Sequence, residues 1–197
     1  MSSAHVFLAS QSPRRQELLR QIGVRFAILP VALAEIPEAG EAPADYVQRL
    51  ALAKAAAGSA LRAELPVLGA DTVVVHRGRI LEKPRDREHG LAMLMRLAGD
   101  RHQVLTGIAV CHAGVQRAQV VATEVHFRAI TADEAERYWA TGEPADKAGG
   151  YGIQGLGAVF VAHLAGSYSN VVGLPLTETQ ALLAQFNVPV WCGADYE

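Results

Sequence analysis

From Pro66 to Val75 the chain is apolar almost without a break, and one carboxylate, Asp71, interrupts it. A run of this kind reads as a strand of the fully buried type, which belongs in a sheet interior. On either side the pattern alternates. His5 to Ala9 reads as a short strand, Pro13 to Ile22 as a helix stopped by Gly23, and Arg25 to Val31 as a second strand. Helical spacing runs from Pro43 to about Leu65. Beyond the central strand, Arg77-Gly78-Arg79 reads as a hairpin tip and Asp86 as the cap of a helix ended by Gly99. Two strands follow near Val104 to Cys111 and Gln119 to Phe127, then a helix over Thr131 to Ala140. A glycine-rich loop over Gly142 to Gly157, a strand over Ala158 to Leu164 and a helix over Leu176 to Phe186 complete the chain. The expectation is an α/β fold with a mixed, twisted sheet flanked by helices. It forms one elongated domain over residues 1–197, with two lobes around a cleft as an open variant.

Asp71 is the anomaly in this frame, because an unpaired carboxylate in a sheet interior costs several kcal/mol. It must be paired, hydrogen-bonded, metal-bound, or placed at the strand's end facing a cleft. A buried salt bridge is the plain option. Thr72 adds a hydroxyl on the opposite face of the strand, and Lys83 follows within Leu81-Glu82-Lys83-Pro84-Arg85. A carboxylate flanked by cations and hydroxyls suits metal-assisted phosphate chemistry.

Two further features carry charge where a fold does not ask for it. In Leu8-Ala9-Ser10-Gln11-Ser12-Pro13-Arg14-Arg15, Ser12 reads as an N-cap and Pro13 as the first helical residue, so Arg14 and Arg15 fall in the first turn. That end of a helix carries partial positive charge and favours acids. Two arginines there point to an anion, and a phosphate held by N–H groups, dipole and guanidinium forks together fits. The alternative has one arginine in solvent and the other paired with Glu17 or a distant carboxylate. Lys54 lies in the apolar stripe Val47, Leu50, Lys54, Ala57, Leu61 of its own helix. Either it snorkels to the rim or it faces a cleft that holds an anion.

Composition removes several function classes. A net charge of -2 offers no basic surface for a nucleic-acid backbone, which favours a small phosphorylated ligand. Cys111 and Cys192 stand alone, without metal-ligand spacing, so a structural zinc is excluded. No apolar run approaches a membrane span and the N-terminal segment lacks the features of a secretion signal, so the expected compartment is the cytoplasm. Gly150-Tyr151-Gly152-Ile153-Gln154-Gly155 matches GxGxxG, but it follows a polar loop and leads into a strand, the wrong context for a dinucleotide fingerprint. Its glycines let the backbone turn close against a ligand or another segment. Gln154, with a donor and an acceptor, is then a candidate reader of a base edge.

Taken in order, the opening Leu-Ala-Ser-x-Ser-Pro-Arg-Arg with Glu17-Leu18-Leu19, Lys54, Gly69-Ala70-Asp71-Thr72, Leu81-Glu82-Lys83-Pro84 and Asp146 to Gly155 resemble the Maf family of nucleoside triphosphate pyrophosphatases. The resemblance covers nearly the whole chain. It implies an elongated Maf/Ham1-like fold with a central cleft, and cleavage of an NTP to NMP and pyrophosphate with a divalent cation, Mg²⁺ or Mn²⁺. Carried over residue by residue, it makes Asp71 the proton acceptor or a metal ligand, and Glu35 a second acidic position. Arg14, Arg15, Lys54 and Lys83 become phosphate contacts, with Ser10 beside them. Arg14, Thr72 and Gln154 match positions associated with base choice in the dTTP- and UTP-directed branch, whose Asp-Lys-Ala-Gly-x-Tyr-Gly-Ile-Gln-Gly loop this chain carries. The implied role is house-cleaning of the nucleotide pool, modified pyrimidine nucleotides included. The alternatives are a 7-methyl-GTP pyrophosphatase and a nucleotide-binding inhibitor of septum formation whose turnover is incidental. Neither a nucleic acid nor a membrane is an expected partner, and a homodimer is left open.

Overall fold

The computed structural model describes residues 4–192. In chain order the elements are β1 (Val6–Leu8), α1 (Pro13–Gln21), β2 (Phe26–Ile28), α2 (Pro43–Leu61), β3 (Val67–His76), β4 (Arg79–Leu81), α3 (Arg87–Leu97), β5 (Arg101–His112) and β6 (Val115–Phe127). They continue with α4 (Ala132–Ala140), β7 (Val161–Ala165), α5 (Tyr168–Val172) and α6 (Leu176–Ala184), with short 3₁₀ turns between α4 and β7. The strands form one mixed sheet in the order β2-β1-β3-β5-β6-β7, and β4 pairs with β3. β1 runs parallel to both β2 and β3, whereas β3 with β4 and β6 with β7 are antiparallel. The expected α/β class with a mixed sheet is the observed one.

The differences from expectation lie at edges and turns. β2 is shorter than Arg25 to Val31 because it is an edge strand that pairs only with the three-residue β1, from Val6↔Phe26 to Leu8↔Ile28. β5 and β6 extend further and meet in a hairpin whose turn, Ala113-Gly114, has positive φ at both residues (47° and 78°). An alanine at the first of these positions hides the usual Asn-Gly or Gly-Gly signal. The strand expected from Ala158 begins only at Val161, because Ala158 to Phe160 continue a 3₁₀ helix, Leu156–Phe160, whose first N–H groups bond the Glu143 carboxylate. Ser12 stands at the N-cap of α1 but makes no side-chain cap bond. The five-residue α5 was not expected.

The chain gathers into two compact units: residues up to Asp71 with Thr106–Val121 and the segment from Gly173 onward, and Thr72–Leu105 with Ala122–Val172. In the first, β1 and the start of β3 are fully buried, with Leu19, Val47, Leu50, Leu174 and Leu183 among the tightly enclosed side chains. Helix α2 lies directly on the sheet. A Cβ at Gly69 would strike the Ala51 carbonyl and sit 2.7 Å from the Ala55 nitrogen and 3.1 Å from the Lys54 Cβ, and one at Gly107 would meet the Val47 backbone. The buried face of α2 is therefore Tyr46, Val47, Leu50, Ala51, Lys54, Ala55 and Gly58. That is rotated from the expected stripe: Leu61 is exposed, and alanine and glycine take the contact because the backbone approaches so closely.

In the second unit, α3 and α4 pack on a core of Val74, Met93, Leu94, Leu97, Val104, Val125, Phe127, Tyr138, Tyr151 and Phe160. Asp86 caps α3 by accepting from the His89 N–H at 2.8 Å, as the sequence pattern expects. Thr131 and Glu134 close a reciprocal capping box on α4.

Candidate active site

The close seat of α2 on Gly69 dictates the central contact of the first unit. Gly69 and Asp71 are two residues apart, so they share one face of β3. Lys54, with its Cβ against Gly69, reaches along that face, and its ammonium donates to Asp71 Oδ1 at 2.7 Å. The same Nζ lies 2.6 Å from Glu35 Oε1. Lys54 and Asp71 are both buried, at 8% and 7% exposure, while Glu35 is half exposed. Lys54 thus neither snorkels to solvent nor stands alone. It joins two carboxylates.

Glu35 comes from a loop that the sequence pattern left undefined, and α2 holds that loop. The Tyr46 hydroxyl donates to the Glu35 carbonyl at 3.1 Å. Arg49, one turn on, donates to the Ile36 carbonyl at 3.1 Å and grips Glu41 through two bonds of 2.6 Å. These positioning residues went unnoticed in the sequence. The available signal was Tyr46 and Arg49 at helical spacing on the N-terminal half of α2, opposite a loop rich in Glu.

Arg15 completes the cluster. Its guanidinium donates to the Gly173 carbonyl at 2.9 Å and to Ser10 Oγ at 3.1 Å, and Ser10 Oγ also accepts the Ser12 N–H at 3.2 Å. Burial lowers the Arg15 pKa, opposed by the negative fields of Asp71 and then Glu35, and assisted by Arg14. The Asp71 carboxyl is pushed above the ordinary value, chiefly by burial; Lys54 and then Arg15 pull the other way, and Glu35 adds to the rise. Arg14, beside Arg15 in the first turn, is half-buried and has no hydrogen-bond or ion-pair partner among the described residues. The structure therefore gathers Ser10, Arg15, Glu35, Lys54 and Asp71, with Arg14 adjoining.

The other three candidates belong to the second unit. Thr72 follows Asp71 on β3 and is half-buried, Lys83 is exposed between β4 and α3, and Gln154 is exposed in the turn closed by the Gly155 N–H to the Gly152 carbonyl at 3.3 Å.

The donor set bears on a divalent cation. Two carboxylate oxygens within 2.7 Å of one nitrogen mark a place where positive charge is held by oxygen alone. Among the described residues no group of three His, Cys, Asp or Glu side chains forms a cation site by itself. The two carboxylates fit Mg²⁺, which commonly takes one or two of them and completes its shell with substrate phosphates and water.

The family model for Maf-like proteins matches residues 5–186. A dTTP/UTP pyrophosphatase of Saccharophagus degradans is 60% identical over 96% of this chain and 92% of its own length. A dTTP/UTP pyrophosphatase of Vibrio cholerae is 50% identical over 94% of this chain and all of its own. Among solved structures, the Staphylococcus aureus Ham1 protein aligns at a TM-score of 0.43 with 14% identity, over 62% of this chain and 71% of that one.

Proposed function

Because the chain belongs to the Maf-like protein family, we propose that it hydrolyses dTTP and UTP between the α and β phosphates, releasing a nucleoside monophosphate and pyrophosphate. The observation that carries the reading is the buried Lys54–Asp71 pair with Glu35 and Arg15 around it. A fold gains little from burying such a pair, since apolar residues of similar volume serve as well or better. A reaction that develops charge on phosphate oxygens gains much.

In the proposed mechanism the Asp71 carboxylate takes a proton from water as the water oxygen bonds to the α phosphorus. The bond from the phosphorus to the bridging oxygen breaks, and pyrophosphate leaves with the electron pair. Burial raises the proton affinity of Asp71, which suits a base. Lys54, held 2.7 Å from Asp71, orients that carboxylate and faces the charge that builds on the phosphates. Arg15 is fixed by Ser10 and the Gly173 carbonyl, so its positive charge is preset beside Asp71, and Arg14 adds a second guanidinium. A divalent cation held by Asp71 and Glu35 would supply Lewis-acid neutralisation of the same charge. Thr72, Lys83 and Gln154 are assigned substrate contacts on the family resemblance, with Gln154 reading the pyrimidine edge. The reading places the protein in the cytoplasm, where free nucleotides are found.

A panel of nucleoside triphosphates with pyrophosphate detection tests the reading. dTTP and UTP are expected to lead the panel. A lead for 7-methyl-GTP would assign the other substrate class, and tight binding without turnover of any triphosphate would make the chain a nucleotide sensor.

A further inference from the structure

The carboxylate of Glu143 is used by nothing in the mechanism above, yet it organises the whole turn that carries Gln154. Its Oε1 accepts the Tyr138 hydroxyl at 2.7 Å and the Gly157 N–H at 3.0 Å, and its Oε2 accepts the Leu156 N–H at 2.8 Å. Tyr138 passes the connection on, since its hydroxyl oxygen accepts the Gly152 N–H at 3.0 Å. Lys147 closes the ring from the other side, donating to the Glu143 carbonyl at 2.8 Å and to Asp146 at 2.7 Å.

The glycines of this segment are shaped to the same carboxylate. A Cβ at Gly155 would overlap Glu143 Oε2. One at Gly152 would lie 2.8 Å from the Lys147 Cε and 3.0 Å from Glu143 Oε1, and one at Gly157 would sit 2.5 Å from the Tyr138 hydroxyl. The GxGxxG-like pattern is thus explained from within the chain. Gly152 and Gly155 admit Glu143 and Lys147 against the backbone, and Gly157, just beyond the pattern, admits Tyr138.

Gln154 sits between the clasped positions, two residues from Gly152 on one side and from Leu156 on the other. Its flanking backbone is fixed by the Glu143 carboxylate, just past the end of α4, and by the Tyr138 phenol on α4, while the side chain itself is exposed. An exposed amide on a free loop samples many orientations and discriminates poorly between bases. One on a clasped turn offers its donor and acceptor in a preset direction, which lowers the ordering cost on binding.

We propose that Glu143 is a positioning residue for substrate choice: by clasping Gly152 through Gly157 it holds the Gln154 turn in the shape that favours pyrimidine triphosphates. This rests on the reading of Gln154 as the base contact.

The test compares kcat/KM for UTP and ATP, with Mg²⁺, in Glu143→Ala, Glu143→Gln, Gln154→Ala and the Glu143→Ala/Gln154→Ala double variant. A merely structural Glu143 would change the folded fraction and scale both substrates alike. Glu143→Ala is expected to lower the UTP-over-ATP ratio about tenfold, mainly through KM for UTP, and Glu143→Gln by less, because its oxygen still serves Tyr138 and Gly157. The double variant should fall no further than the worse single one. If Gln154→Ala lowers the ratio and neither Glu143 variant does, the positioning role is overturned while the Gln154 reading stands. If a Glu143 variant lowers it and Gln154→Ala does not, Gln154 is not the base contact and the proposal falls with that reading. An unchanged ratio in all four overturns both. Should Glu143→Ala fail to fold, Glu143→Gln decides alone.

Discussion

Asp71 is a buried carboxylate and Glu143 a half-buried one, and their surroundings push them in opposite directions. Burial acts to raise the pKa of each. At Glu143 the Tyr138 hydroxyl, the Gly157 and Leu156 amides and Lys147 outweigh it, and the carboxyl is held below its ordinary value. At Asp71 burial wins over Lys54 and Arg15. A carboxylate saturated with neutral backbone and phenol donors is committed to the protein. One that is desolvated and shares a single ammonium with a second acid keeps its affinity for a proton or an added cation. The first builds a turn, and the second is equipped for chemistry.

The same isosteric change at both positions is the sharpest way to break that comparison. Asp71→Asn is expected to lower kcat for dTTP at least about a hundredfold, the scale of losing a general base. Its melting temperature should stay close to that of the parent, because Lys54 keeps Glu35 as a partner. Glu143→Gln should show the reverse balance, with a lowered melting temperature from two facing donors at Leu156 and a kcat within about tenfold of the parent. Equal losses of rate at the two positions would end the distinction.

Lys54→Met probes the pairing from the other side. Removing one member of a buried pair leaves an uncompensated charge and costs about 3–5 kcal/mol. A denaturant titration should show that loss at neutral pH, and the Asp71→Asn/Lys54→Met double variant should recover most of it. Both variants should be catalytically poor. Recovery of stability without recovery of rate separates the ion pair's role in the fold from its role in turnover.

His102 sharpens the point that burial alone does not make a site. It is 2% exposed, shares a 2.8 Å hydrogen bond with the Tyr151 hydroxyl and stacks edge-on with Phe127 and Tyr151. Burial depresses its pKa to about 4 from an ordinary 6.5. The folded ring therefore refuses a proton that the unfolded chain accepts below pH 6.5. The associated stability, on the order of 3 kcal/mol, is present above that pH and is lost as pH falls toward 4. Melting curves from pH 7 to 4 should fall less steeply for His102→Gln than for the parent. Smallest of all, Tyr46→Phe removes one hydrogen bond to the Glu35 carbonyl. It should cost about 1 kcal/mol and raise KM a few-fold, without the kcat loss of Asp71→Asn.

The central strand, the cap at Asp86 and the anomalies at Lys54 and Asp71 were legible in the sequence because each is a local pattern or its violation. What joined them was not. The Lys54–Asp71 contact depends on α2 pressing onto Gly69, a close approach that shows in sequence only as small residues. Glu35 was hard to place because its loop has no periodicity and takes its position from Tyr46 and Arg49 on α2. The Glu143 clasp stayed hidden for a related reason. Its partners are backbone amides 13 and 14 residues away, and an amide leaves no mark on residue identity. Side-chain pattern reports the elements, whereas contacts made through backbone and by absent side chains are decided only when the elements pack.

Whether the Asp71–Lys54 cluster drives cleavage between the α and β phosphates is decided by ³¹P NMR of dTTP with the parent protein and Asp71→Asn at equal folded concentration in Mg²⁺. Paired growth of dTMP and pyrophosphate signals is expected with the parent, and almost none with the variant. Signals of dTDP with orthophosphate, or parent-like pyrophosphate release by Asp71→Asn, would contradict it.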